Sequence, residues 1–97
     1  MANLSQLLGE KREEILRVAA SHGARNVRVF GSVARGEADA DSDLDLLVEM
    51  EQGRSLLDRA SLELELRRLL ARNVDVVNER GIKKRIRVRV LREAISL

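Results

Sequence analysis

The 97 residues contain no cysteine, proline, tryptophan, tyrosine or threonine, and Phe30 is the only aromatic residue. Without cysteine there can be no disulfide and no thiolate metal site, which fits a cytoplasmic protein. Without other aromatics the core has to be aliphatic, built from Leu, Ile, Val and Ala. The stacking platform of single-stranded nucleic-acid binders is also missing. No long apolar run occurs: the start, MANLSQLLGEKREEIL, reads neither as a signal peptide nor as a membrane span, so no membrane partner is expected.

Apolar residues make up 44% and charged residues 35%, a globular rather than a disordered balance. The length predicts one domain over residues 1–97. The net charge of +2 conceals two opposed runs. Residues 37–51 carry Glu37, Asp39, Asp41, Asp43, Asp45, Glu49 and Glu51 and no base. Residues 80–92 carry Arg80, Lys83, Lys84, Arg85, Arg87, Arg89 and Arg92 and no acid. The basic run reads either as a polyanion-binding surface or as a solvated helix face.

Helical spacing of Leu4, Leu7, Leu8, Ile15, Val18 and Ala19 predicts a helix over 4–22, stopped by Gly23. His22, at its end, reads as a helix-end residue. VRVF (27–30) predicts a short buried strand, broken by Gly31-Ser32, and VARG the first turns of a short helix. EADADSD reads as a polar loop. LDLLVEM (44–50) predicts a second strand. Ser55 with Asp58 resembles a capping box opening a helix to about Leu70, with Leu56, Leu57, Ala60, Leu64 and Leu69 towards the core. NVDVVNE (73–79) predicts a third strand. The segment IKKRIRVRVLREAISL alternates like a strand over 85–90, yet keeps an i, i+4 rhythm through Ile82, Ile86, Val90 and Ala94, and its helix formers favour a helix. The fold class is α/β (α+β): a small mixed sheet of three to four strands flanked by helices.

Residues i and i+2 of a strand share a face, so Asp43 and Asp45 project side by side. Two such carboxylates repel each other unless a cation sits between them. Oxygen-only ligands suit Mg²⁺ or Mn²⁺ together with substrate phosphates. Asp75, an acid inside VDVV, could complete a three-carboxylate cluster if its strand lies beside the second. Glycine permits close backbone approach at Gly31, and a helix opening at Ser32 would aim N–H groups at a phosphate. Acids facing an anion-binding turn suit metal–triphosphate chemistry, in which two metals serve an in-line displacement. Glu37, Asp39 and Asp41 read as a solvated loop.

This arrangement resembles the nucleotidyltransferase superfamily that includes DNA polymerase beta, poly(A) polymerases and aminoglycoside nucleotidyltransferases. Its signature is G-S, ten residues, then D-x-D, with a third acid on a later strand. Here Gly31-Ser32, the ten residues VARGEADADS, and Asp43-Leu44-Asp45 match it, and Asp75 fits the third acid. GSVARGEADADSDLDLLV and the basic ending VDVVNERGIKKRIRVRVLREAISL are similar to the minimal nucleotidyltransferases, the MNT proteins. The resemblance implies the nucleotidyltransferase fold, two Mg²⁺ ions and ATP as substrate. It implies that Asp43 and Asp45 bind the catalytic Mg²⁺. Asp75 would bind the second metal and act as base, and Gly31 and Ser32 would hold the β- and γ-phosphates. Arg35 would either position phosphate or form an ion pair with the acidic loop, and Ser42 would cap the turn before Asp43. MNT proteins are commonly antitoxins, so the implied partner is a cognate HEPN-domain toxin, a helical ribonuclease. AMP would pass from ATP to a toxin tyrosine, and pyrophosphate would leave. A non-catalytic antitoxin, a transferase acting on an RNA 3′ end or a small-molecule hydroxyl, and a basic nucleic-acid-binding module are the alternatives; nucleic acid is the less favoured partner because stacking aromatics are lacking.

Overall fold

The computed structural model describes residues 4–37 and 43–97. In chain order these form helix α1 (Leu4–Ser21), strand β1 (Ala24–Phe30), strand β2 (Leu44–Met50), helix α2 (Leu56–Leu70), strand β3 (Val74–Asn78), a 3₁₀ turn (Glu79–Gly81), helix α3 (Lys84–Glu93) and strand β4 (Ile95–Ser96). One mixed sheet runs in the order β3-β2-β1-β4. β1 is antiparallel to both β2 and β4, and β2 is parallel to β3. This is the mixed α/β architecture expected of a nucleotidyltransferase fold.

Period-two alternation decides which face of the sheet is dry. Leu44, Leu46, Val48 and Met50 of β2, Val27 and Val29 of β1, and Val74 and Val76 of β3 form one core. Leu8, Ile15 and Ala19 of α1 and Leu62, Leu66 and Leu70 of α2 belong to the same cluster. Leu47 is also fully buried, but it stands outside that cluster, on the opposite face with Asp45 and Glu49. The sheet's second face is therefore covered too, by other means.

Local signals account for the element ends. α1 stops before Gly23, whose φ of +76° suits glycine. Ahead of α2, the Ser55 N–H donates to the Asp58 carboxylate at 2.8 Å and the Ser55 hydroxyl does so at 3.3 Å. The Ser55 N–H bond holds the Asp58 carboxyl below its ordinary range.

Three expectations need correction. VARG is not a short helix: residues 31–36 form turns. A single i→i+4 bond, from Arg35 N–H to Gly31 C=O, is closed at once by Gly36 N–H to Val33 C=O and Glu37 N–H to Ser32 C=O. That is the Schellman pattern, with Gly36 at φ +73° as its left-handed residue, and it ends the segment after one turn. Secondly, Leu56, Leu57 and Leu64 are 70%, 77% and 53% exposed, and Ala60 is exposed beside them. α2 carries leucines on two faces, and only the 62–66–70 stripe meets the sheet; Leu69 does pack against the core. Thirdly, the last segment is not one helix: a 3₁₀ turn precedes α3, and the chain then pairs Ser96 with Arg28 and Ile95 with Val29 as β4.

Candidate active site

The register places the chemistry. Phe30 of β1 lies opposite Asp45 of β2, and Asp45 lies opposite Asp75 of β3. Phe30, Asp45 and Asp75 thus form one row across the sheet, on the face turned away from α1 and α2. Asp43, two residues before Asp45, precedes β2 and is exposed.

Gly31 follows Phe30 with φ +75°, and a Cβ built on it would stand 2.5 Å from Asp45 Oδ2. Backbone at Gly31 therefore abuts the Asp45 carboxylate, and a side chain there would have to push that carboxylate aside from a left-handed backbone. Val33 anchors the turn by packing against the core. No hydrogen bond among the described residues occupies the N–H groups of Ser32, Val33 and Ala34. The expected helix N-terminus is thus a single closed turn that still presents three backbone donors.

Burial pushes the Asp45 carboxyl above its ordinary range, and the charges of Asp75 and then Asp43 add to that; Arg35 opposes it weakly. Asp75 is more open, with Arg67 Nη2 4.0 Å from its Oδ1. Among the described residues no three acids already converge tightly enough to enclose a metal ion. The donor set nonetheless suits one: Asp43, Asp45 and Asp75 offer only oxygen, and their mutual repulsion is relieved by a bound cation.

Arg35 takes the ion-pair role. Its Nε is 3.0 Å from Glu37 Oε2 and its Nη1 is 3.3 Å from Glu93 Oε2, so it ties the turn both to the acidic loop and to α3. These carboxylates, Glu37 foremost, raise its pKa. Ser42, with Asp39 and Asp41, lies outside the described residues. His22 pairs instead with α2, its Nε2 3.3 Å from Glu65 Oε1.

Sequence reasoning missed the second-face framework. Arg28 is buried, and its Nη2 lies 3.2 Å from Glu79 Oε2, with both side chains largely shielded. Arg87 of α3 reaches the same carboxylate, its Nη2 3.9 Å from Oε1. Arg28 and Leu47 are register partners, so this pair spans the face on which Leu47 is buried and joins β1 to the 3₁₀ turn ahead of α3. The available signal was the alternation in VRVF, which puts Arg28 and Phe30 on one face. Of the basic run, Arg87 and Arg89 are ion-paired, to Glu79 and Glu93. Lys83, Lys84, Arg85 and Arg92 are exposed, and among the described residues they make no ion pair.

Comparison with known proteins gives this geometry a family context. The nucleotidyltransferase domain family matches residues 12–97. The chain is 47% identical over 73 residues to the protein adenylyltransferase MntA of Thermococcus cleftensis, covering 75% of this chain and 74% of that one. A solved structure provisionally described as a minimal nucleotidyltransferase shares 61% identity and a TM-score of 0.84, over 93% of this chain and 92% of its own. A toxin–antitoxin structure with AMP-PNP shares the fold, with a TM-score of 0.75 at 21% identity, over 87% of this chain and 69% of its own.

Proposed function

Given that this chain belongs to the nucleotidyltransferase family, we propose that it is a Mg²⁺-dependent protein adenylyltransferase serving as an antitoxin. In this reading it transfers AMP from ATP to a hydroxyl, that of a tyrosine, on a cognate HEPN-domain toxin and so neutralises it. The observation that carries the reading is the row Phe30–Asp45–Asp75, with Gly31 packed against Asp45 and, beyond it, N–H donors that no hydrogen bond among the described residues occupies. The similarity to a protein adenylyltransferase supports a protein acceptor, and the shared fold of a nucleotide-bearing toxin–antitoxin structure supports the partner. Among these 97 residues there is no tyrosine or threonine, so an acceptor of either type comes from outside them.

The donors at Ser32, Val33 and Ala34 receive the β- and γ-phosphates, with Gly31 letting them lie close to Asp45. Asp75, half open to solvent at the β3 edge, takes the proton of the acceptor hydroxyl. The hydroxyl oxygen bonds to the α-phosphorus as the bond to the bridging oxygen of the β-phosphate breaks, and pyrophosphate leaves from the turn. Mg²⁺ held by Asp43 and Asp45, with Asp75 for a second ion, would neutralise charge on the phosphates and activate the hydroxyl. Arg35 keeps the turn in place through Glu37 and Glu93. Residues 1–97 act as one domain here, in the cytoplasm.

The test is intact-mass spectrometry of the partner toxin incubated with this protein, ATP and Mg²⁺, beside an Asp43→Asn, Asp45→Asn control. AMP-sized mass gains on the toxin, absent in the control, are expected. No gain with the toxin still neutralised would replace the reading with a steric antitoxin. No gain and no neutralisation would point to RNA or small-molecule acceptors.

A further inference from the structure

A groove of about 230 Å³ opens beside the catalytic row. Phe30, Gly31 and Arg35 form one wall, and Ile86, Val90 and Glu93 of α3 form the other. Its lining combines apolar Phe30, Ile86 and Val90 with charged Arg35, Arg89 and Glu93. These charges are already matched, because Glu93 holds Arg35 at 3.3 Å and Arg89 at 3.8 Å. Ile86 is 48% exposed, which is high for an aliphatic side chain with an aromatic ring lining the same groove.

We infer that this groove seats the nucleobase of the nucleoside triphosphate, against Phe30 and between the two walls. The inference rests on the nucleotide-transfer reading of the site and deepens it. Position carries it. The groove is lined by Phe30, the register partner of Asp45, and by Gly31, which abuts the Asp45 carboxylate, so it lies next to that carboxylate. Asp75 lies on the other side of Asp45, across the β2–β3 ladder. An acceptor hydroxyl activated by Asp75 enters from the β3 side, and the phosphates take the turn after Gly31. The space left for the nucleoside is on the β1 side, where the groove lies.

The chemistry agrees. A pocket this small falls below the ~300–1,000 Å³ of drug-sized sites, yet it suits one flat heterocycle. The chain's only aromatic residue is spent on its wall, where a ring face can stack. Polar base edges meet charges already neutralised, so the groove recognises the ring rather than a hydrogen-bonding pattern.

The test compares MgATP with Mg-tripolyphosphate, which carries the phosphates and no base. Affinities are measured by calorimetry on the wild type, on Ile86→Ala with Val90→Ala, and on Phe30→Leu. Alanine favours helix, so the double variant keeps α3; Ile86→Ala alone, at a half-exposed site, provides a second variant should the double one melt early. The expected result is MgATP weakened by about tenfold, a loss of one stacked or packed base's contacts, with Mg-tripolyphosphate unchanged within about twofold. Equal affinities across all proteins would overturn the groove while leaving the nucleotide site intact. Equal losses for both ligands would overturn it too, by locating the effect at the phosphates. If the wild type bound neither ligand, the nucleotide reading itself would fall, and the groove with it.

Discussion

At Gly31 an added methyl group would meet Asp45 Oδ2 at 2.5 Å while φ sits at +75°. Gly31→Ala is therefore expected to cost about 1–2 kcal/mol from the left-handed backbone alone. It should also displace the Asp45 carboxylate, which the proposed mechanism uses as a metal ligand. Thermal melting and an AMP-transfer assay check both parts, and a variant with wild-type melting and turnover would refute the close approach. Asp45 yields a second prediction. Its folded-state pKa is raised, by burial first and by Asp75 and Asp43 next. As pH rises, the unfolded chain loses this proton before the folded one does, so ionisation favours unfolding. Stability falls as pH climbs from the ordinary carboxylate value, about 3.9, through the raised one, and stays lowered at neutral pH. In the presence of a chelator, Asp45→Asn should melt above the wild type at neutral pH, and the gap should close at about pH 3, where both states of the wild type are protonated. Melts across that range decide it.

At the element scale α2 separates what a leucine does from where it stands. Leu66 is 1% exposed in the core and Leu64 is 53% exposed on the opposite side. Leu66→Ala should cost about 3 kcal/mol, and Leu64→Ala should stay within about 0.5 kcal/mol. Urea titrations of the two variants read this directly; similar midpoints would reverse the assignment of the two stripes. The same helix shows how far the sequence can be read. Strand β2 was legible because LDLLVEM is a near-continuous apolar run, and α2 opened where Ser55 and Asp58 said it would. Its orientation was not legible, since both leucine stripes keep helical spacing and only the sheet selects one. VARG failed for a local reason: Gly36 closes the turn before helix can propagate. In the site, the parallel third strand brought Asp75 into register with Asp45, while Asp43 stands just ahead of β2, outside the strand whose period of two was to align it. Arg28, Phe30, Glu79 and Glu93 stayed hidden because their partners are set by tertiary packing, 51 residues away along the chain in the Arg28–Glu79 pair and 58 in the Arg35–Glu93 pair.

Over the whole molecule, the two faces of the sheet are stabilised differently. One is a continuous aliphatic core under α1 and α2. The other carries the acids and is spanned by the Arg28–Glu79 pair, while α3 itself has no buried residue. Two further ion pairs, Arg35–Glu93 and Arg87–Glu79, tie α3 to this face. Shielded pairs of this kind stabilise little net, but losing one partner is costly. Arg28→Met should therefore destabilise the fold and loosen α3, whereas Arg28→Met with Glu79→Leu should recover much of that loss. Melting of the single and double variants tests the coupling.

β4 returns the chain to the same strand that leads into Gly31. It contributes two residue pairs, Arg28 with Ser96 and Val29 with Ile95, and one further bond from Leu97 N–H to Val27 C=O. So short a ladder opens at a small fraction of the global free energy. Backbone amides at this edge should exchange with solvent deuterium long before those between β1 and β2. The protein thus keeps two clocks: a slow one for the strands that hold the carboxylates, and a fast one for the chain end that secures α3 beside them.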